Sequence, residues 1–181
     1  MDTTPNTLSF PALDTLTPDT LVRAAEPGAE PFVPDGPIEL LCLRVGGQEY
    51  GLPLPSIQEI RRYQTATPLP GQATAVLGVM ELRGQVIALL DLRRLLNLPD
   101  IAKDDGLRAV VVLVRDGSLL GLVVDEVLDV LPTEPEQFRA FPTLPGPLTR
   151  RHLIGLVSAG ERRVLRLRTD DWFAAHATQA A

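Results

Sequence analysis

At 181 residues the chain has room for one ordinary domain, or two very small ones sharing a core; it is 45% hydrophobic but only 4% aromatic, so that core is aliphatic. Its longest apolar runs, about eight residues, fall far short of the roughly 20 that a bilayer-spanning helix needs, and one cysteine and two histidines exclude a disulfide framework and a His-rich metal centre. Of the net charge of -6, residues 1–37 carry -5 (six acids against Arg23), which leaves a nearly neutral body with no basic field for phosphate backbones and argues against a general nucleic-acid binder.

The first 37 residues hold seven of the 17 prolines and read as a flexible, acidic, partly extended arm. Within it, Asp19–Glu26 has the pattern of two helical turns, with Asp19 as N-cap and Leu21 and Val22 on one side. The opening Met1-Asp2 shows no basic or apolar signal region, so a cytoplasmic address is expected.

From Ile38 the texture changes. Leu40–Val45, Gly46-Gly47 and Gln48–Leu52 predict strand, tight turn, strand, because a two-residue hairpin turn demands positive φ. Ser56–Ile60 follows Pro53 and Pro55 as a short helical turn or an extended corner. Val76–Arg83 and Gln85–Leu92 predict a second hairpin around Gly84, and Arg93–Asn97 a helical turn closed by Pro99. Arg108–Val114, Asp116-Gly117 and Leu119–Val124 predict a third hairpin. In Arg163–Arg168, arginines alternate with Val or Leu, the mark of a half-buried strand with one wet side. Thr169–Phe173 opens a short C-terminal helix whose Trp172 and Phe173 pack onto the body.

The second half repeats the first. Setting Gly51 on Gly121 aligns Gly51–Ile60 with Gly121–Val130, with apolar residues at the seventh and tenth places and an acid at the ninth of each. The offset of 70 then drifts to about 77, where Leu77-Gly78-Val79 meets Ile154-Gly155-Leu156. A duplicated unit of two hairpins suits two small β-barrels packed side by side, each too small to stand alone and so sharing an apolar seam. The doubly apolar hairpin Ala109–Val124 lines that seam or meets a partner.

Catalytic groups are hard to find. No phosphate-binding, dinucleotide-binding or serine-hydrolase motif is present, and no cofactor or metal is expected. Cys42 reads as a buried inert thiol and His152 and His176 as surface residues. Asp91 and Asp125 lack the loop chemistry of an aspartic dyad and read as caps or as ion pairs with Arg93 or Arg94. A small hydrolase and a nucleic-acid-binding barrel are thus the weaker readings, and a binding module the stronger one. Arg83, at a hairpin turn, is placed for bidentate recognition or for bracing its own turn. Leu54, Ile57, Ile60 and Val79, edged by Glu59 and Arg83, form either an apolar groove for an amphipathic helix or part of the core.

Glu49-Tyr50-Gly51, Ile57–Arg61, Leu77-Gly78-Val79 with Leu82-Arg83-Gly84 and Leu90-Asp91-Leu92, and Gly121–Asp125, in that order, resemble the CheW family of chemotaxis coupling proteins. The resemblance covers residues 38 to about 173. It implies an all-β fold of two SH3-like five-stranded barrels with short helical connections and a short C-terminal helix. The arm is then 1–37, the CheW-like domain 38–173 (first barrel mainly 38–100, second mainly 107–168), and the C-terminal helix and tail 169–181.

It further implies a non-catalytic adaptor between the signalling tip of methyl-accepting chemoreceptors and the regulatory domain of a CheA-type histidine kinase, reaching a membrane only through those receptors. The same adaptor chemistry serves twitching motility or another non-flagellar output equally well. Positions matching the receptor groove are Leu54, Ile57, Glu59, Ile60, Gly78, Val79 and Arg83; Gly121, Val127, Val130 and Arg139 match the kinase contact region. Glu81 departs from the family's usual Asn.

Overall fold

Tight turns set the hairpins. In the computed structural model, which describes residues 33–99, 108–139, 152–176 and the backbone of 178–179, three two-residue turns hold both residues at positive φ. They are Gly46-Gly47, Arg83-Gly84 and Asp116-Gly117, the geometry whose twist matches that of paired strands. Arg83, at φ 51°, accepts a backbone cost of about 1 kcal/mol that a glycine would avoid. The arm as far as residue 32, with its Asp19–Glu26 segment, lies outside the described residues, as do 100–107 and 140–151.

In chain order the strands are β1 (Ile38–Val45), β2 (Gln48–Pro53), β3 (Ile57–Arg62), β4 (Val76–Leu82) and β5 (Gln85–Asp91) in the first half. The second half has β6 (Ala109–Arg115), β7 (Ser118–Val124), β8 (Glu126–Thr133), β9 (Phe138–Arg139), β10 (Leu153–Ala159), β11 (Arg162–Leu167) and β12 (Thr178–Gln179). The helices are α1 (Leu92–Leu95) and α2 (Asp170–His176), and 3-10 turns at Leu54–Ser56 and Pro135–Gln137 lead into β3 and β9. Of the two readings of Ser56–Ile60, the extended one holds: after the proline-bearing turn, Ile57–Arg62 pairs with β6.

The strands form two SH3-like units, but not as contiguous halves. One sheet runs β8-β1-β2-β11-β10-β9 and the other β3-β6-β7-β5-β4, so the division at 38–100 and 107–168 is not how the strands pair. Along each of these orders the opening hairpin comes from one repeat and the other strands from the other, and β12 adds to the second sheet beside β7. Registers confirm the duplication: Cys42 pairs Gly51 as Val112 pairs Gly121, and Gly51 neighbours Arg166 as Gly121 neighbours Leu89. Because β3 and β8 follow their hairpins through short connections, each reaches the edge of the opposite hairpin sooner than its own.

Period-2 alternation then sorts the core. Leu40 and Cys42 point into the interior of the first sheet with Phe138, Val157 and Val164. Their neighbours Leu41, Leu43 and Val45 point the other way, into a large core that also takes Val111, Leu113, Leu120, Leu122 and Trp172. Val110 and Val112 face the second sheet's own interior with Ile87 and Leu89. The doubly apolar β6–β7 hairpin therefore lines the seam, and the seam is filled by the molecule's own side chains. Each such leucine, fully buried, contributes about 1.5–3 kcal/mol.

Two surface expectations fail. His152 is buried and its Nδ1 accepts a 3.0 Å hydrogen bond from Trp172 Nε1, pinning α2 to the body. Arg166, on the supposedly wet side of β11, is only 6% exposed; its guanidinium lies 5.7 Å from the Phe138 ring, and burial lowers its pKa to about 10. Alternation placed Arg166 on the wet side and His152 was read as a surface residue for want of a second ligand, and tertiary packing overrode both. Cys42 is buried as expected, its thiol pushed up to about 11 by desolvation. No helix among the described residues is long and apolar enough to cross a membrane.

Candidate functional site

β3 and β4 are the two ends of their sheet's pairing order, and a side-chain pair joins them. Arg83 Nη2, from the β4–β5 turn, lies 2.5 Å from Glu59 Oε2 on β3. The Arg83 side chain is 72% exposed and Glu59 19%. The second carboxylate oxygen, Glu59 Oε1, is buried and accepts no hydrogen bond among the described residues. Beside it Ile60 is 45% exposed. Glu59, Ile60 and Arg83 thus make a rim of one acid, one cation and one apolar side chain.

The other predicted receptor residues support that rim from below. Leu54 and Ile57 are partly buried and pack against the shared core. Gly78 is buried at φ 139°; a Cβ there would stand 2.1 Å from the Thr67 carbonyl oxygen. It is a structural glycine, not a contact, because the 63–75 segment must cross its backbone closely to pair Thr67 with Val79. Val79 is half-buried in that bridge.

The kinase set divides in the same way. Gly121 sits in the buried middle of β7, where a Cβ would meet Leu89 Cδ2 at 2.3 Å, so it is a packing residue and offers no surface. Val127 packs half-buried on the shared core. Val130 is 41% exposed on β8. Arg139 is exposed on β9 and its Nη1 donates to the carbonyls of Glu136 and Phe138, bracing its own turn.

The duplication relates the two sets. Leu41 pairs Val130 as Val111 pairs Ile60, and Leu43 pairs Val127 as Leu113 pairs Ile57. Asp129 accordingly occupies the place of Glu59, and it too is held by a guanidinium: Arg162 Nη1 and Nη2 lie 2.9 and 3.0 Å from its two oxygens. Arg162 also reaches Glu49 at 2.8 Å. These hydrogen bonds from Arg162 hold the Asp129 carboxyl below its usual range and raise the pKa of the guanidinium. Sequence reading missed Asp129 and Arg162 as a pair, although the acid at the ninth place of both aligned segments marked the first of them.

Neither of the two other acids weighed for chemistry is free for it. Asp91 caps α1, accepting from the Arg93 and Arg94 amides at 2.8 and 3.4 Å, and pairs with Arg108 at 2.6 Å. Arg108 stacks on Tyr63, 4.7 Å from the ring centroid. Asp125 takes a bidentate grip from Arg93, at 2.7 and 2.6 Å, and accepts from Gly46 N at 2.8 Å. Both carboxylates tie elements together.

Known proteins match this arrangement. Residues 39–174 fit the family model described as the CheW-like domain. The chain is 34% identical over 127 residues to the chemotaxis protein CheW of Klebsiella aerogenes, covering 70% of this chain and 76% of that protein. It is 32% identical over 138 residues to protein FrzA of Myxococcus xanthus, covering 71% and 80% respectively. The solved structure of the scaffolding protein TtCheW from Thermoanaerobacter tengcongensis superposes with a TM-score of 0.67 at 19% identity, over 73% of this chain and 89% of that one. With two interlaced sheets, duplicated registers and a family match over residues 39–174, this chain belongs to the CheW-like family.

Proposed function

We propose that the chain is a non-catalytic adaptor of a cytoplasmic chemosensory array, coupling the signalling tips of chemoreceptors to the regulatory domain of a CheA-type histidine kinase. The observation that carries this reading is the pair of equivalent rims on one shared core. Glu59, Ile60 and Arg83 edge one sheet; Asp129, Val130 and Arg162 edge the other. Each offers an exposed β-branched side chain beside a bridged acid and arginine, the mixture that anchors an amphipathic helix or a sheet edge. The core of leucines and valines between them fixes the distance from one rim to the other, so two bound partners are held at a set geometry without any reaction being catalysed. The first rim takes the receptor tip and the second the kinase.

Binding titrations with a receptor-tip fragment and a kinase regulatory domain test the assignment. Arg83→Glu combined with Ile60→Asp weakens the receptor fragment at least about tenfold, equivalent to about 1.4 kcal/mol, and leaves the kinase domain unaffected; Val130→Asp does the converse. If neither variant changes either affinity while both remain folded, the rims are not the contact surfaces.

A further inference from the structure

The duplication has two ends that ought to look alike and do not. At the first, Arg93 of α1 grips Asp125 and donates to the Pro99 carbonyl at 2.8 Å, while Leu95, Leu96 and Leu98 pack onto the shared core. Leu98 Cδ1 comes within 2.9 Å of where a Cβ on Gly46 would stand, so the chain fills the space beside that turn with its own leucine.

At the second end, α2 replaces α1, Asp170 replaces Arg93 and Asp116 replaces Gly46. There the space is open: a cleft of about 560 Å3 runs between the two sheets and α2. Its apolar floor is Val114, Ile154, Leu167 and Phe173. Three arginines, Arg115, Arg166 and Arg168, line it against a single acid, Asp170. Arg115 pairs with Asp170 and lies 3.7 Å from Asp116, whereas the exposed Arg168 makes no side-chain ion pair among the described residues.

We propose that this cleft is the docking site of the chain's own acidic arm, with Leu21 and Val22 on the apolar floor and Asp19 and Glu26 against Arg168 and Arg115. Charge favours it: the arm carries -5 and the cleft lining a surplus of two positive charges. Position favours it as well. β1 begins at Ile38, Leu40 pairs Pro53 on the cleft wall, and β2 lies beside β11, which ends at Leu167 just before Arg168. The arm therefore leaves the body about two strand spacings, or about 10 Å, from the cleft. The 16 residues from Val22 to Ile38 span about 20–25 Å as a flexible chain, ample for that distance. The chemistry also mirrors the closed end, where leucines from the chain's own tether fill the place next to an arginine–aspartate pair. This inference is independent of which partners the two rims bind.

A spin label on Ala29→Cys, which spares the four docking residues, tests it by NMR in the full chain, the buried Cys42 remaining unlabelled. The expected result is loss of signal at Ile154, Leu167 and Phe173, with Val86 and Val130 unaffected. Arg168→Glu restores the lost signals, and combining it with Asp19→Lys and Glu26→Lys abolishes them again. High salt weakens the effect, as screening of exposed charges requires. Uniform or absent signal loss overturns the proposal, as does signal loss that survives Arg168→Glu. Signal loss in an isotope-labelled chain without a spin label, mixed with spin-labelled protein, overturns it too, because the arm then docks on a second copy.

Discussion

The two ends of the shared core start from the same duplicated register and finish differently. Around α1, a bidentate Arg93–Asp125 pair, an amide from the neighbouring turn and three leucines close the surface. Around α2, an exposed Arg115–Asp170 pair stands at the mouth of an open cleft. Backbone pairing is thus retained by both repeats while side-chain filling has diverged. Strand register is held by a whole face of buried residues, since a one-residue slip would invert every one of them; a cleft mouth is held by a few side chains and can change piecemeal.

The most severe way to break the comparison is to cut the chain between its repeats. Each half supplies a hairpin that completes the other half's sheet, so fragments 1–103 and 104–181 are each expected to lack stable β structure and to regain it on mixing. The effect is the whole folding free energy, about 5–15 kcal/mol, read by circular dichroism of the separate and combined fragments. Two independently folded fragments would show that the interlacing is not required.

A smaller effect compares the two ends directly. Asp125→Ala strips a half-buried guanidinium and the Gly46 amide of their acceptor, with an expected loss of about 2–3 kcal/mol in urea unfolding. Asp170→Ala, at the exposed pair of the other end, is expected to cost under about 1 kcal/mol. Equal losses would mean that the open end is as tightly tied as the closed one.

The smallest effect concerns the second rim. The folded Asp129 carboxyl is held below its ordinary pKa by Arg162, so its contribution is complete above the unfolded value near about 4 and disappears as pH falls through the lower folded value. Asp129→Asn should flatten the acid limb of a stability–pH curve slightly, because the pair is exposed and screened.

Much of this could be read from residue order. Gly46-Gly47 and Asp116-Gly117 announced their turns because few other pairs accept two positive φ values, and the alignment of Gly51 with Gly121 predicted registers that the sheets reproduce. The exchange of hairpins was not legible, because strand pairing between repeats and within them satisfies the same alternation. The site was half legible. Glu59, Ile60 and Arg83 come together as expected, yet Gly78 and Gly121, which carry the family resemblance, are buried where a backbone or a leucine comes too close for a side chain. His152 was misplaced because its ring's partner Trp172 lies 20 residues away in sequence.

The hairpin exchange has a further meaning. A single repeat of this chain contains no complete sheet: β1 and β2 find their flanking strands β8 and β11 only in the other repeat, just as β6 and β7 find β3 and β5. One repeat alone could satisfy its edges by trading opening hairpins with an identical molecule. The monomer therefore has the topology of a swapped homodimer written into one polypeptide.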